Sequence, residues 1–233
     1  PGLGSMLRRL LAWDRLPATV RYVGVDARAA NVTAARERTA DWAAGAGWTV
    51  EGAGTTADPL RLADGDREAT VEFATGDAFA ALAGREPAPD LVVGCAVLDL
   101  FELDDALPAL FDALAPGGLA YLPITFDGET VFRPVPDADR ERRVLDAYHG
   151  TMDAPDRAGG SRTGRALFDA VPAAGGRVVA AGGSDWVVTP PYPADEAYLC
   201  HHVIDIVEGA VAAAETRAAD EVPDWARERH AAV

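Results

Sequence analysis

Residues 1–26 read PGLGSMLRRLLAWDRLPATVRYVGVD, and the fold turns on how that stretch divides. Gly2 and Gly4 open it. SMLRRLLAWD then sets Met6, Leu7, Leu10 and Leu11 at the spacing of one helical face, with Ser5 near the helix start. VRYVGVD follows as a short strand rich in β-branched and aromatic residues, closed by Asp26. Glycine carries no Cβ, so a glycine turn running into a helix lets backbone approach a ligand closely. An acid at the end of the next strand is placed to accept hydrogen bonds from ribose hydroxyls. Each element also has a plainer use, because glycines make simple turns and an aspartate after a strand often caps a helix.

Working outward, residues 27–47 read as a helix stopped by Gly45 and Gly47. Residues 48–73 carry Asp-Pro and Asp-Gly turn signals, which predicts a hairpin inserted before a strand at Ala69–Ala74. The apolar run Leu91–Ala96 suits a strand buried on both faces of a parallel sheet. A helix over Asp104–Leu114 ends at PGG, and LAYLPITF (119–126) is the next strand. Strands alternating with helices predict an α/β fold. The expected form is a Rossmann-like open, mostly parallel sheet with helices on both faces in three layers.

The alternation breaks over 127–160, read as a lid or substrate insert with a short helix around Arg140–Tyr148. SRTGRALFDAVPAAGG (161–176) is helical. RVVAAGGSDWVVTP (177–190) reads as a terminal antiparallel hairpin turning at Gly182–Ser184. An extra helix over 195–218 sets Leu199, Val203, Ile206 and Val207 on one face, and EVPDWARERHAAV (221–233) looks like a broken end. A single domain over 1–233 is expected.

The net charge is -16, there is no lysine or glutamine, and Asn31 is the only asparagine. Such a surface resembles that of halophilic proteins, although a GC-rich genome also favours arginine and alanine. It argues against a nucleic-acid partner, which normally meets a basic stripe. Cys95 and Cys200 have neither disulfide-framework nor metal-ligand spacing and read as reduced core residues. No stretch approaches the roughly 20 apolar residues of a membrane span and no secretory pattern opens the chain, so a soluble cytoplasmic protein is expected.

Two further strand ends extend the pattern. VEFATGDAF (71–79) closes a strand with Gly76 and Asp77, an acid placed to meet an adenine amino group. DLVVGCAVLDL (90–100) puts the small residues Gly94, Cys95 and Ala96 where a bulky side chain would block a ligand. In this order, PGLGSML, YVGVD, ATGDAF, PDLVVGCAVLDL and ALPALFDALAPGGLAYLPI resemble the class I S-adenosylmethionine-dependent methyltransferases over about residues 1–190.

The resemblance implies a methyltransferase using S-adenosylmethionine on a small-molecule acceptor. It implies that Gly2 and Gly4 pass the methionine part of the cofactor and that Asp26, with Ala27 and Arg28, binds the ribose. It further implies that Asp77, with Gly76 and Ala78, frames the adenine, that Cys95 and Ala96 lie near the sulfonium, and that Asp99 faces substrate. The family's first strand has no counterpart ahead of Gly2, so two neighbouring strands are expected to keep an unpaired edge.

A Rossmann dehydrogenase using NAD(P) is the nearest rival, but its fingerprint wants a small residue where Leu7 stands. A noncatalytic scaffold that dimerises through the long helix is a third reading. TPPY (189–192) echoes an amino-group methyltransferase signature but follows the wrong strand. His149 in the insert is a candidate general base. Arg162 or Arg165 is a candidate grip for a substrate carboxylate or phosphate, and Trp186 a candidate pocket wall. His201 and His202 show no partner at i+4, read as helix-face residues, and no metal site is expected.

Overall fold

The computed structural model describes residues 2–54, 58–154 and 158–233. Pro1 of the glycine motif, residues 55–57 of the expected hairpin and 155–157 of the expected lid lie outside them. The chain is mixed α/β and divides into two compact units, Pro1–Ala88 and Pro89–Val233.

The first unit contains α1 (Ser5–Ala12), β1 (Thr19–Asp26), α2 (Ala29–Gly45), β2 (Thr49–Glu51), β3 (Leu60–Asp64), β4 (Arg67–Thr75) and α3 (Ala78–Leu82). Its open sheet has the order β1-β4-β3-β2. Only β1 and β4 run parallel, while β4 pairs β3 and β3 pairs β2 antiparallel, so the mostly parallel sheet expected from the alternation is corrected here. The reason is local. Asp64 pairs with Arg67 across a two-residue turn in which Gly65 takes φ 64°, and so tight a turn sends the chain straight back.

Period-two burial gives this sheet its core. Leu60 and Leu62 of β3 and Ala69 and Val71 of β4 are fully or nearly fully buried, packed with Leu7 and Leu11 of α1, Ala43 of α2 and Trp48. The intervening positions are polar. On that face Arg21 of β1 donates to the Glu72 carboxylate of β4 at 3.0 Å. The sheet therefore reads as covered on its apolar side, and the helices on α1 and α2 supply that cover.

The second unit contains β5 (Leu91–Val93), a 3-10 turn (Leu98–Leu100), α4 (Leu103–Ala113), β6 (Leu119–Tyr121), α5 (Ala138–Met152), α6 (Thr163–Ala173), α7 (Glu196–Ala212) and α8 (Ala218–Ala232). β5 and β6 form a parallel pair in the register Leu91↔Leu119 to Val93↔Tyr121. The apolar run at Leu91 was read as buried on both faces. Instead Leu91, Leu119 and Tyr121 are exposed, because no described helix packs extensively over the faces of this pair.

Two further expectations are corrected. Residues 177–189 form no strand, and Val179, Trp186 and Val187 are exposed; an isolated two-stranded ribbon with no apolar face to bury is only marginally stable. The end read as broken is the helix α8, which continues through Pro223 although that residue has no N–H for the helical ladder. Its Val222, Trp225 and Ala226 pack with Val144 and Leu145 of α5 and Ile204, Val207 and Val211 of α7. The buried stripe of α7 is thus Ile204–Val207–Val211, and Ile206, placed on the buried face by the sequence pattern, is exposed. Among the described residues no helix is long and apolar enough to cross a membrane.

Candidate functional site

In the first unit the parallel pairing of β1 and β4 sets Asp26 opposite Thr75, so the two strands end side by side. The Gly76 N–H donates to the Asp26 carbonyl at 3.0 Å and extends the ladder past the strands. The Asp26 carboxylate collects donors from three directions. Oδ2 accepts from the Gly2 N–H at 2.9 Å, and Oδ1 accepts from the Arg28 N–H at 2.9 Å and from Asn31 Nδ2 at 3.1 Å. Burial alone would push this carboxyl up. The N–H groups of Arg28 and Gly2 are the largest of the effects that oppose it, and the pKa comes down to about 2.

The glycine turn is built for its place. Gly2 and Gly4 take φ 54° and 72°, the left-handed region that costs other residues strain. A Cβ on Gly4 would stand 2.9 Å from Thr39 Oγ1, so α1 starts pressed against α2. Next to Gly2 and Gly76, by contrast, nothing lies within 4 Å of where a Cβ would stand. Backbone at both positions is open to a ligand. Asp77, two residues past β4, is the N-cap of α3, its Oδ1 accepting from the Ala80 N–H at 2.8 Å, with Ala78 as the first helical residue. A groove of about 280 Å³ on this unit is lined by Ser5, Arg8, Arg9, Ala12, Trp13 and Trp42, and neither Asp26 nor Asp77 lines it.

The structure therefore brings together Gly2, Asp26, Arg28 and Gly76, with Ala27 between two of them and Asp77 next in chain. Sequence reading passed over Asn31, whose amide reaches back five residues to Asp26. Its signal was available, as the only asparagine in the chain one turn into the helix after the strand.

Within the second unit Gly94 and Ala96 continue the β5–β6 ladder, donating to Tyr121 and Pro123 carbonyls at 3.0 and 2.9 Å. Ala96 takes φ 50°, a left-handed conformation uncommon for alanine. Cys95 between them is exposed rather than a core residue, although its sulfur lies against enough protein for burial to push the thiol pKa up. Cys200 is half-buried, so neither cysteine is the buried core residue expected. Asp99 sits in the 3-10 turn. Its Oδ1 is shielded from solvent and has no hydrogen-bond partner among the described residues.

Described residues of the segment 127–160 make polar contacts at both of its ends. Arg165 of α6 donates to the Asp127 carbonyl at 2.9 Å and flanks its carboxylate at 3.3 Å. The Asp153 carboxylate accepts from the Ser161 N–H and hydroxyl, both at 2.8 Å, which holds its pKa below the usual value. Gly159 is pressed so close to the Asp99 carbonyl that a Cβ would stand 2.1 Å from that oxygen. His149 lies in the last turn of α5, its ring 5.3 Å from that of Phe126, and its Nε2 faces the Thr130 N–H at 3.4 Å. Burial pushes the neighbouring Tyr148 hydroxyl pKa up. Arg162 is the exposed residue ahead of α6, and Trp186 is exposed in the strandless stretch.

No family model matches this chain, and no curated protein or solved structure matches it.

Proposed function

We propose that the chain is an S-adenosylmethionine-dependent methyltransferase acting on a small-molecule acceptor, with a Rossmann-like three-layer sheet as its frame. The observation that carries this reading is the meeting of the glycine turn, the Asp26 carboxylate and Gly76 at the ends of two parallel strands, beside backbone left open at Gly2 and Gly76. Ligands of open α/β sheets bind at that edge, and a carboxylate held ionised there is a strong acceptor for a sugar diol. The residues present fit an adenosyl group.

In this reading Asp26, with Ala27 and Arg28, holds the ribose. Gly76, Asp77 and Ala78 hold the adenine, and Gly2 and Gly4 the methionine part. When bound, the cofactor supplies a methyl group on a sulfonium that is electrophilic without further activation. The protein's share is to orient the acceptor and keep water away, which explains why no catalytic residue stands out. Asp99, with its unpartnered carboxylate oxygen, and the exposed Arg162 and Trp186 are assigned to the acceptor. His149 takes the proton of an acceptor that must lose one.

Calorimetry with S-adenosylmethionine, S-adenosylhomocysteine and NAD tests the reading. Tight binding of S-adenosylhomocysteine is expected, and Asp26→Ala should weaken it by about 1–3 kcal/mol through loss of the charged acceptor. Unchanged affinity in that variant removes the ribose assignment. A preference for NAD would turn the chain into an oxidoreductase, and no binding of any of the three into a noncatalytic scaffold.

A further inference from the structure

The helical hairpin of α7 and α8 holds a cluster that plays no part in the reading above. His201, Asp205 and Glu208 are spaced i, i+4, i+7 and so share one face of α7, which corrects the reading of His201 as lacking a partner at i+4. The five residues between the helices return the chain on itself, and His230, in the last turn of α8, comes back beside them. Its Nε2 lies 3.1 Å from Asp205 Oδ1, and its Nδ1 lies 2.7 Å from His201 Nδ1. One ligand atom each from Asp205, Glu208 and His230 falls within a 4.8 Å span. Among the described residues no arginine pairs with either carboxylate.

We propose that Asp205, Glu208 and His230 bind a divalent transition-metal ion, with Zn2+ the best match, and that His201 positions His230 for it. One imidazole nitrogen and two carboxylate oxygens form a borderline donor set that suits zinc better than calcium or magnesium, which take oxygen donors only. Bonds of about 2.0–2.2 Å to one ion place neighbouring ligand atoms about 3.0–3.5 Å apart. The His230–Asp205 separation already has that value, and a Glu208 oxygen lies within 4.8 Å of both ligand atoms. Three protein ligands leave a fourth position open.

The histidine pair gives the second reason. Two facing Nδ1 atoms at 2.7 Å share one proton. When His230 supplies it, His201 accepts, and the His230 Nε2 lone pair faces a carboxylate oxygen across 3.1 Å. Two acceptors at that distance repel unless a cation lies between them. A metal-bound imidazole is ordinarily oriented in this way, through the N–H on its far side. Without metal a proton on Nε2 takes the cation's place, and zinc binding must displace it.

Titration of the full chain with Zn2+ near neutral pH tests the site, followed by calorimetry and by the thermal midpoint. The wild type should take up a single equivalent and melt higher with zinc but not with Mg2+. His201→Ala should weaken binding by about 10-fold to 100-fold, the usual cost of an outer partner, and Asp205→Asn and His230→Gln by more than that. Asp205 is exposed, so its variant is expected to keep the metal-free melting point and reports on zinc alone. No saturable zinc uptake by the wild type, or equal uptake by Asp205→Asn and His230→Gln, overturns the proposal.

Discussion

Two carboxylates, one in each unit, collect N–H donors and do so to opposite ends. Asp26 gathers Gly2, Arg28 and Asn31 from within five residues on one side and a preceding turn on the other, and stays at the surface where a strand ends. Glu141 of α5 gathers partners from the far end of the chain. Its Oε2 accepts from Trp225 Nε1 at 2.7 Å and pairs with the Arg229 guanidinium, and all three side chains are buried. Arg229 also donates to the Pro134 carbonyl and covers the rings of Phe132 and Trp225. The lesson is that donor number alone does not mark a site. A carboxylate sealed among aromatic rings holds a fold together, whereas one held ionised beside open glycine backbone can take a ligand.

That contrast is most easily broken at the sealed end. Arg229→Met leaves the Glu141 carboxylate buried without its cation and should cost about 3–5 kcal/mol of stability in urea denaturation. A loss under about 1 kcal/mol would mean that water or another group relieves Glu141, and that the two carboxylates are less different than their burial suggests.

A smaller effect is expected from the glycine turn of the open end. Gly4→Ala combines a left-handed φ of 72° with a Cβ 2.9 Å from Thr39 Oγ1, and should cost about 1–3 kcal/mol. Gly76→Ala, with nothing within 4 Å of its Cβ, is the matching control and should leave the thermal midpoint nearly unchanged while lowering affinity for the adenosyl ligand.

The smallest effect is a matter of pH. The folded pKa of Asp26 is about 2, below its ordinary 3.8, so its contribution to stability is complete above the ordinary value and fades as pH falls toward 2. Melting curves across that window should show a shallower acid loss for Asp26→Asn than for the wild type. Parallel curves would mean that the backbone donors do not favour the ionised form.

Much of the helical content was legible because it depends on near neighbours. The 3.6-residue period placed α1, α2, α4, α6 and α7 close to where they lie, and the order of Gly2, Gly4, Asp26, Gly76 and Asp77 pointed to strand ends that do adjoin. Misreadings arose where a segment takes its character from a distant partner. RVVAAGGSDWVV has strand-forming residues but no described neighbour to pair with. Residues 221–233 look broken by Pro223 and a run of charges, yet form a helix because Trp225 and Arg229 find α5.

By itself the sequence determined the helical faces, the turn at Asp64-Gly65 and the chain order of glycines and acids, since 3.6-fold and two-fold periods and glycine's freedom at positive φ act over a few bonds. Tertiary structure alone decided that β1 and β4 run parallel, that Gly2 meets Asp26, and that His230 returns to His201 and Asp205. Those meetings join residues 24 to 49 positions apart, and no local period encodes them because they form only when apolar faces from separate elements are buried together.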